Sequence, residues 1–322
     1  MPRQINAKTV VSVYEKFGIL LIMIIECIFF AIASNRFLLP TNLFLVGRQV
    51  SFYGIAAVGV TMVLLVGEID ISVGSILGFS GTMAAVLMVK HGWPMGLAIL
   101  VTILFCTIFG FISGFLTEIL KVPSLIGTLA MQTIIKGCTY IISDGRPIRG
   151  FSEKFKFLGQ GFVFGTIPTP IIFMVLVFII GFIVLNKQYI GRRIYAVGGN
   201  KEAARLSGIK TNWVVVGVFV ASSVTASVAG ILMVSRLGAG DPSLGSDFAL
   251  DVLTAAVLGG IALQGGKGFV LNVLVGAFII GILANGLVLC HVIEYWQWIV
   301  KGLVFLFAVI MSNLDYIITK KR

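Results

Sequence analysis

The sequence has little charge, little histidine and no cysteine pair of the kind that binds metal. Charged residues make up 11% of the chain, against roughly 25% in a typical soluble domain. None of the four cysteines has a C-x-x-C partner and the chain has only two histidines, so we expect neither a zinc site nor a redox pair. We interpret Cys27, Cys106, Cys138 and Cys290 as small packing residues in or beside apolar runs.

A nucleotide-binding motif is also absent from the sequence. The stretch "QGGKGF" contains a Gly-Gly-Lys, but Gly268 follows Lys267 where a phosphate loop carries the serine or threonine that binds magnesium. We therefore expect no nucleotide cofactor in this chain, so any ATP chemistry must come from another chain.

Apolar residues dominate the composition. They form 58% of the chain, with a mean hydropathy of +1.07, which is more apolar surface than a soluble fold can hide. The apolar runs are continuous and do not alternate with polar residues, which indicates helices and not barrel strands. The 38 glycines suit membrane helices, whose backbones approach closely at small residues. The sequence predicts an all-α polytopic membrane protein.

About ten segments approach the ~20 residues that a helix needs to cross a bilayer. They are 17–34, 49–67, 71–90, 95–117, 122–143, 167–185, 213–235, 249–264, 269–290 and 298–314. We assign residues 1–322 to a single transmembrane domain. The first run ends in "FFAIAS", which also resembles a signal peptide, but we favour a retained helix because the run is long enough to span.

The distribution of lysine and arginine predicts the orientation, since cytoplasmic loops carry more of both. The loops predicted to be inside carry Arg3, Lys8, Lys16, Lys121, Lys187, Arg192, Arg193, Lys201, Arg205, Lys210, Lys267, Lys320, Lys321 and Arg322. The outer loops carry Arg36, Arg48, Lys90, Arg146, Arg149, Lys154, Lys156 and Arg236. Both termini and the loop of about 186–212 are then cytoplasmic, and the loop of about 144–166 is extracytoplasmic. The net charge of +11 reflects topology and not nucleic-acid binding.

Two interrupted regions suggest a translocation path. The 249–264 segment is short, and "GEIDISVGS" separates the 49–67 and 71–90 segments; broken segments in both halves are typical of transporters. Asp70, with Ser72 and Ser75, suits either an interfacial helix cap or a pathway lining. "TIIKG" and "WIVKG" recur in the two halves, so a duplication is one interpretation. The sequence has no dense series of acidic residues of the kind that a proton relay needs.

The stretch "YAVGGNKEAARLSGIK" is a short polar segment between two apolar runs. We predict a turn at Gly198, Gly199 and Asn200, then a short helix that Gly208 ends. A plain basic inner loop is the alternative, but the alanines and Leu206 favour a helix that docks into a partner's groove. The docking residues would be Gly198, Gly199, Asn200, Glu202, Ala203, Ala204, Arg205, Leu206, Ser207 and Gly208.

Two outer stretches are either connectors or a surface for an external partner. They are "DGRPIRGFSEKFKFLGQGFVFGT" and "RLGAGDPSLGSDFALD". The candidate docking residues are Arg146, Arg149, Arg236 and Asp241.

After about residue 40, the chain resembles the membrane permease subunits of bacterial ABC importers for ribose and related sugars. The resemblance rests on the order of "GEIDISVGS", "KVPSLIGTLAMQTIIKG", "ISDGRPI", "IGRRIYAVGGNKEAARLSGI", "SRLGAGDPSLGSDFALDVLTAAVLGG", "LQGGKG" and "GLVLCHVIEYWQWIVKGL". The chain departs from the family pattern at Glu68, where a small residue is common, at Gln264, and around Cys290 and His291.

The resemblance implies a non-catalytic permease that moves a monosaccharide across the bacterial cytoplasmic membrane by alternating access. Its implied partners are a second permease copy, ATPase subunits that bind ATP and magnesium, and a periplasmic or lipid-anchored sugar-binding protein. It also implies that the helix after Gly199 is the coupling helix. The path would involve Asp70, Ser72, Ser75, Thr128, Gln132 and Asn285. The alternatives are an ion-coupled secondary sugar transporter that works alone, and a membrane scaffold.

Overall fold

The structure is a computed structural model that describes residues 7–320, with side chains described from 18 to 312. The helices are α1 Ala7–Ala33, α2 Pro40–Leu65, α3 Val73–Ala85, α4 Met95–Glu118, α5 Ser124–Ser143, α6 Glu153–Gln160, α7 Thr169–Phe182, α8 Tyr189–Gly199, α9 Lys201–Leu206, α10 Thr211–Leu237, α11 Phe248–Leu258, α12 Val270–Leu289 and α13 Glu294–Lys320. Helices α3 and α7 continue as π-helical turns, Val86–Lys90 and Ile183–Lys187.

In the described part of the chain, four two-residue strands lie in the loops outside the long helices. They are β1 Ile148–Arg149, β2 Phe162–Val163, β3 Ile167–Pro168 and β4 Ala239–Gly240. β1 pairs antiparallel with β4, and β2 pairs antiparallel with β3.

The prediction of a polytopic all-α membrane protein is confirmed. Within the described residues, eight helices are long and apolar enough to cross a membrane: α2, α3 with its π turn, α4, α5, α7, α10, α12 and α13. Two of the roughly ten predicted segments remain. The predicted 17–34 segment lies in α1, whose side chains are described from Gly18, and its described apolar part, Gly18–Ala33, agrees with the prediction. The predicted 249–264 segment is shorter than expected, because α11 has only 11 residues. α11 stops early because Gly259 and Gly260 follow it, and Gly260 takes a φ of +81° that other residues rarely adopt.

Helix α2 begins nearer the N-terminus than the predicted 49–67. Pro40 stands in its first turn, where the missing backbone N–H costs nothing. The start of α2 is joined to α12, because Asn42 and Asn285 exchange amide hydrogen bonds of 3.0 and 2.9 Å. Tertiary contacts therefore extend this helix into a polar stretch.

The long helices pack in a pattern that repeats between the two halves of the chain. α10 packs against α2, α3 and α4, while α2 packs against α10, α11 and α12. Likewise, α3 contacts α5 and α11 contacts α13. α5 and α13 are the helices that carry the recurring "IKG" and "VKG". This is the packing expected of two related halves.

The contacts define two ends of the bundle. The predicted cytoplasmic end comprises residues 66–72, 119–123, 188–210 and 259–269, and the predicted extracytoplasmic end comprises 34–39, 91–94, 144–168, 238–247 and 290–293. At the second end, β1 pairs with β4. The Lys90 ammonium donates a hydrogen bond of 2.7 Å to Asp144 and holds the pKa of that exposed carboxyl below its usual range. These contacts tie the predicted outer loop of about 144–166 to neighbouring helices.

Candidate functional site

Helices α8 and α9 form a corner at the predicted cytoplasmic end. The predicted turn at Gly198 and Gly199 is wrong, because α8 continues through both glycines and only Asn200 is extended. The Asn200 side chain accepts a hydrogen bond of 2.9 Å from the Ala203 amide and caps α9. Gly208, at a φ of +83°, follows the end of α9, so the predicted short helix is confirmed.

One face of the α8–α9 corner is exposed and partly apolar. Leu206 at the end of α9 is 77% exposed and Tyr189 at the start of α8 is 56% exposed, and Trp213 in the first turn of α10 is 64% exposed. Ala203, Ser207 and Gly208 are also exposed. Large apolar side chains left exposed at the predicted cytoplasmic end are typical of an interaction surface.

The charged pair on α9 is exposed on the same surface. Arg205 and Glu202 approach to 2.6 Å, and the guanidinium holds the pKa of the Glu202 carboxyl below its usual range. Ala204, by contrast, is only 5% exposed and packs against the hydrophobic core. Ala204 therefore faces the bundle, and the expectation that its methyl group lies on the docking face is wrong.

Three backbone segments meet directly behind this corner, at the glycine junction (Gly67, Gly198, Gly199, Gly265 and Gly266). The Gly266 amide donates a hydrogen bond of 2.9 Å to the Leu65 carbonyl at the end of α2. A Cβ on Gly265 would lie 2.7 Å from the Gly67 nitrogen, and one on Gly266 would lie 2.8 Å from the Gly199 Cα. The corner thus touches the end of α2 and the loop after α11 through backbone atoms.

A cluster of four charges, the Lys201 cluster (Lys201, Glu68, Glu118 and Lys121), joins α9 to the bundle. Lys201 Nζ lies 2.5 Å from Glu118 Oε2 and 3.8 Å from Glu68 Oε1. Lys121 Nζ lies 3.1 Å from Glu118 Oε1. Lys201 is the partner that the unusual charge of Glu68 requires. The sequence interpretation overlooked Glu118, whose one signal is a carboxylate at the end of an apolar run.

Asp70 is buried between helices just beyond the Lys201 cluster. Its Oδ1 accepts hydrogen bonds from the Ser72 amide at 3.0 Å and the Ser72 hydroxyl at 2.6 Å. Its Oδ2 accepts one of 2.9 Å from Ser222 on α10. Asp70 thus joins the start of α3 to α10. Ser72 occupies the N-cap position of α3, but its side chain makes no capping hydrogen bond.

Helix α5 holds the same loop from the other side. The Ser124 hydroxyl accepts a hydrogen bond of 3.2 Å from the Ile69 amide, and the Thr128 hydroxyl accepts one of 3.2 Å from the Ile71 amide. These bonds satisfy the non-helical backbone that an interrupted membrane segment would otherwise leave unpaired.

A cavity of about 100 Å³ lies one turn farther along α3 and α5. Its lining includes Ser75, Gly78, Gln132, Lys136, Thr139, Pro242, Leu244 and Ser246. Two predicted path residues, Ser75 and Gln132, therefore share a polar cavity next to Asp70, Ser72 and Thr128. Asn285 lies apart from them, because its amide is bonded to Asn42 between α12 and α2. The structure groups five of the six predicted path residues.

The predicted outer docking residues differ in exposure. Arg146 and Arg149 are exposed, and Asp241 is partly exposed while accepting hydrogen bonds from Ser243. Arg236 turns inward instead: its guanidinium donates to Gln49 at 2.7 Å. The first three residues present polar groups at the surface, whereas Arg236 braces α10 against α2.

Comparisons with known proteins identify the family. A model of the family described as "Branched-chain amino acid transport system / permease component" matches residues 42–309. The ribose import permease protein of Haemophilus influenzae is 44% identical over 87% of each chain, and that of Bacillus subtilis is 40% identical over 94% of each chain. The xylose transport system permease protein of Escherichia coli is 34% identical, over 85% of this chain and 84% of its own length.

No solved structure matches the chain at a significant level. The match to the family model runs from the first turn of α2 into α13 and includes α9 and the interrupted α2–α3 region. The chain therefore belongs to the permease-component family of transport systems, as the sequence resemblance predicted.

Proposed function

We propose that the chain is the membrane-spanning permease subunit of an ATP-binding-cassette importer for a monosaccharide, ribose or a related sugar. Relatives named as ribose and xylose permeases, 34–44% identical over most of the chain, support this substrate class. The chain hydrolyses no ATP; a separate ATPase subunit binds ATP and magnesium. It acts in the bacterial cytoplasmic membrane, with both termini on the cytoplasmic side.

The exposed surface of α9 is the observation that carries this proposal. A six-residue helix cannot be stable alone, yet this one is capped at both ends and presents Leu206 to solvent. Such a helix suits insertion into a groove of a partner protein. In this proposal α9 docks on the ATPase, and the glycine junction transmits its movement to α2 and to the loop after α11.

The sugar path runs beside α3 and α5 in this proposal. The cavity lined by Ser75 and Gln132 offers hydroxyl and amide groups, which suit the hydroxyl groups of a sugar. Asp70 lies five residues before Ser75 in the interrupted region between α2 and α3, where transporters commonly place their path. Alternating access opens this path to one side of the membrane at a time.

Two further partners complete the proposed importer. Helix α13 packs least against the rest of the protein among the candidate spans, because only 6% of its apolar stretch is buried. It therefore leaves an apolar face for a second permease copy or lipid. The outer surface that carries Arg146, Arg149 and Asp241 receives a periplasmic or lipid-anchored sugar-binding protein. An ion-coupled transporter that works alone is the alternative, but it gives no reason for α9.

Copurification tests the proposal. The tagged chain is expressed with the products of its neighbouring genes, solubilised gently and examined for a bound ATPase, and the complex is then assayed in proteoliposomes for ATP-dependent sugar uptake. We expect an ATPase to copurify and uptake to require ATP and the binding protein. A chain that purifies alone and takes up sugar under an ion gradient would instead support the secondary transporter.

A further inference from the structure

The Lys201 cluster brings α9, the end of α4 and the loop between α2 and α3 together around one ammonium group. Lys201 begins α9, Glu118 ends α4, and Glu68 lies in the loop between α2 and α3. We propose that Lys201 is a positioning residue that ties the docking helix to α4 and to the loop carrying Asp70, so that movement of α9 reaches the path. This inference rests on the proposed function.

The burial of Glu118 makes the cluster specific. Its side chain is 1% exposed, and a buried carboxylate is costly unless cations or hydrogen-bond donors surround it. Lys201 lies 2.5 Å from one of its oxygens and Lys121 lies 3.1 Å from the other. Lys201 and Lys121 therefore each pair with one oxygen of the same carboxylate, and loss of the Lys201 ammonium would leave the buried Oε2 without its ion-pair partner.

The direction of the Lys201 side chain separates it from the docking surface. Positions three apart on a helix share a face, and Ala204, three residues after Lys201, is buried against the core. Glu202 and Leu206 are exposed to solvent. Removal of the Lys201 charge should therefore leave the surface that meets the ATPase in place.

A continuous set of contacts connects Lys201 with Asp70. Glu68 lies two residues before Asp70, and the intervening Ile69 amide is bonded to Ser124 at 3.2 Å. Asp70 is itself bonded to Ser222 on α10. Because this loop is short and bonded to two long helices, a displacement of Glu68 cannot be absorbed locally. Movement of α9 is passed to the start of α3.

The experiment uses the purified complex with its ATPase, reconstituted in proteoliposomes with the binding protein and sugar. Three variants are compared: Lys201→Gln, Lys201→Arg and the control Lys210→Gln. Lys210 is exposed in the same loop, and it has no ion-pair partner among the described side chains. The measured quantities are the amount of bound ATPase and the number of sugar molecules imported per ATP hydrolysed.

For Lys201→Gln we expect the amount of bound ATPase to stay at the wild-type level. The number of sugar molecules imported per ATP hydrolysed should fall about fivefold, the scale of a modest coupling between two sites. Lys201→Arg should restore most of the ratio because it keeps the charge. Lys210→Gln should match the wild type. A role limited to stability would lower the yield of complex without changing this ratio.

Two results would overturn the inference. An unchanged ratio for Lys201→Gln means that the cluster transmits nothing, and a loss of ATPase binding means that Lys201 belongs to the docking surface. If Lys201→Gln does not fold, Glu68→Gln replaces it, because Glu118 still balances Lys201; this variant should also lower the ratio, and a wild-type ratio refutes the proposal. A wild-type chain that binds no ATPase contradicts the proposed function itself.

Discussion

Gly198 and Gly199 are neighbours at the end of α8, but only the replacement of Gly198 by alanine should destabilise the protein. A Cβ on Gly198 would overlap the Leu65 carbonyl oxygen and lie 2.5 Å from the Gly266 nitrogen. A Cβ on Gly199 would meet no atom within 4 Å. The two variants add the same methyl group to the same helix, so each serves as the control for the other.

The size of the Gly198→Ala effect follows from what the methyl group meets. Both obstructing atoms belong to backbone, and they are the partners of the hydrogen bond between Gly266 and Leu65. Side-chain rotation cannot relieve such an overlap, so the helix end must move away from α2. Overpacking of this kind costs about 1–3 kcal/mol, and we expect the upper end of that range. Gly199→Ala should be neutral or stabilise by up to about 1 kcal/mol, since alanine favours helix.

Thermal unfolding of the detergent-solubilised protein measures the difference. A loss of about 3 kcal/mol corresponds to a fall in Tm of roughly 4 °C for a chain of this size. Gly199→Ala should unfold within about 2 °C of the wild type. If both variants unfold at the same temperature, the glycine junction does not hold α8 against α2, and the account of transmission through backbone contacts is wrong.

Three further predictions concern Asp70, the Asn42–Asn285 pair and Leu206. Asp70→Leu leaves the Ser72 and Ser222 hydroxyls without their acceptor and should lower sugar uptake about tenfold or more while ATPase copurification persists; normal uptake would remove Asp70 from the path. Asn42→Ala should destabilise by about 1–3 kcal/mol because the Asn285 amide loses its partner, whereas leucine at both positions should cost less; equal losses in thermal unfolding would contradict this. Leu206→Asp should abolish ATPase copurification but change stability by less than about 0.5 kcal/mol, as expected of an exposed position, and stoichiometric ATPase on that variant would show that α9 does not dock.

The sequence predicted the bounds of most of the long helices closely, because a backbone in lipid must satisfy its own hydrogen bonds and a long apolar run therefore forms a helix. Helix α4 was predicted at 95–117 and spans Met95–Glu118, and α5 was predicted at 122–143 and spans Ser124–Ser143. The sequence also located α9, because Asn200 and Gly208 are local signals for its two ends. These features depend on residues that are close together in the chain.

The sequence could not predict which glycines end a helix and which merely allow close packing. Gly230 stands within α10, where a Cβ would collide with the Leu77 carbonyl and the Ser80 hydroxyl of α3. Gly259 and Gly260, in contrast, end α11. Both kinds of glycine lie in apolar runs, and only the neighbouring helix distinguishes them. The predicted length of α11 was wrong for this reason.

By itself the sequence determined that the chain spans a membrane as helices, where most of them begin and end, and which ordered motifs it shares with its family. The tertiary structure decided which charges meet: Glu118 and Lys201 are 83 residues apart, and Asn42 and Asn285 are 243 residues apart. It also decided that Ala204 faces inward and Leu206 faces outward. Hydropathy and capping are local properties of the chain, whereas ion pairs and exposed faces exist only after distant helices have packed.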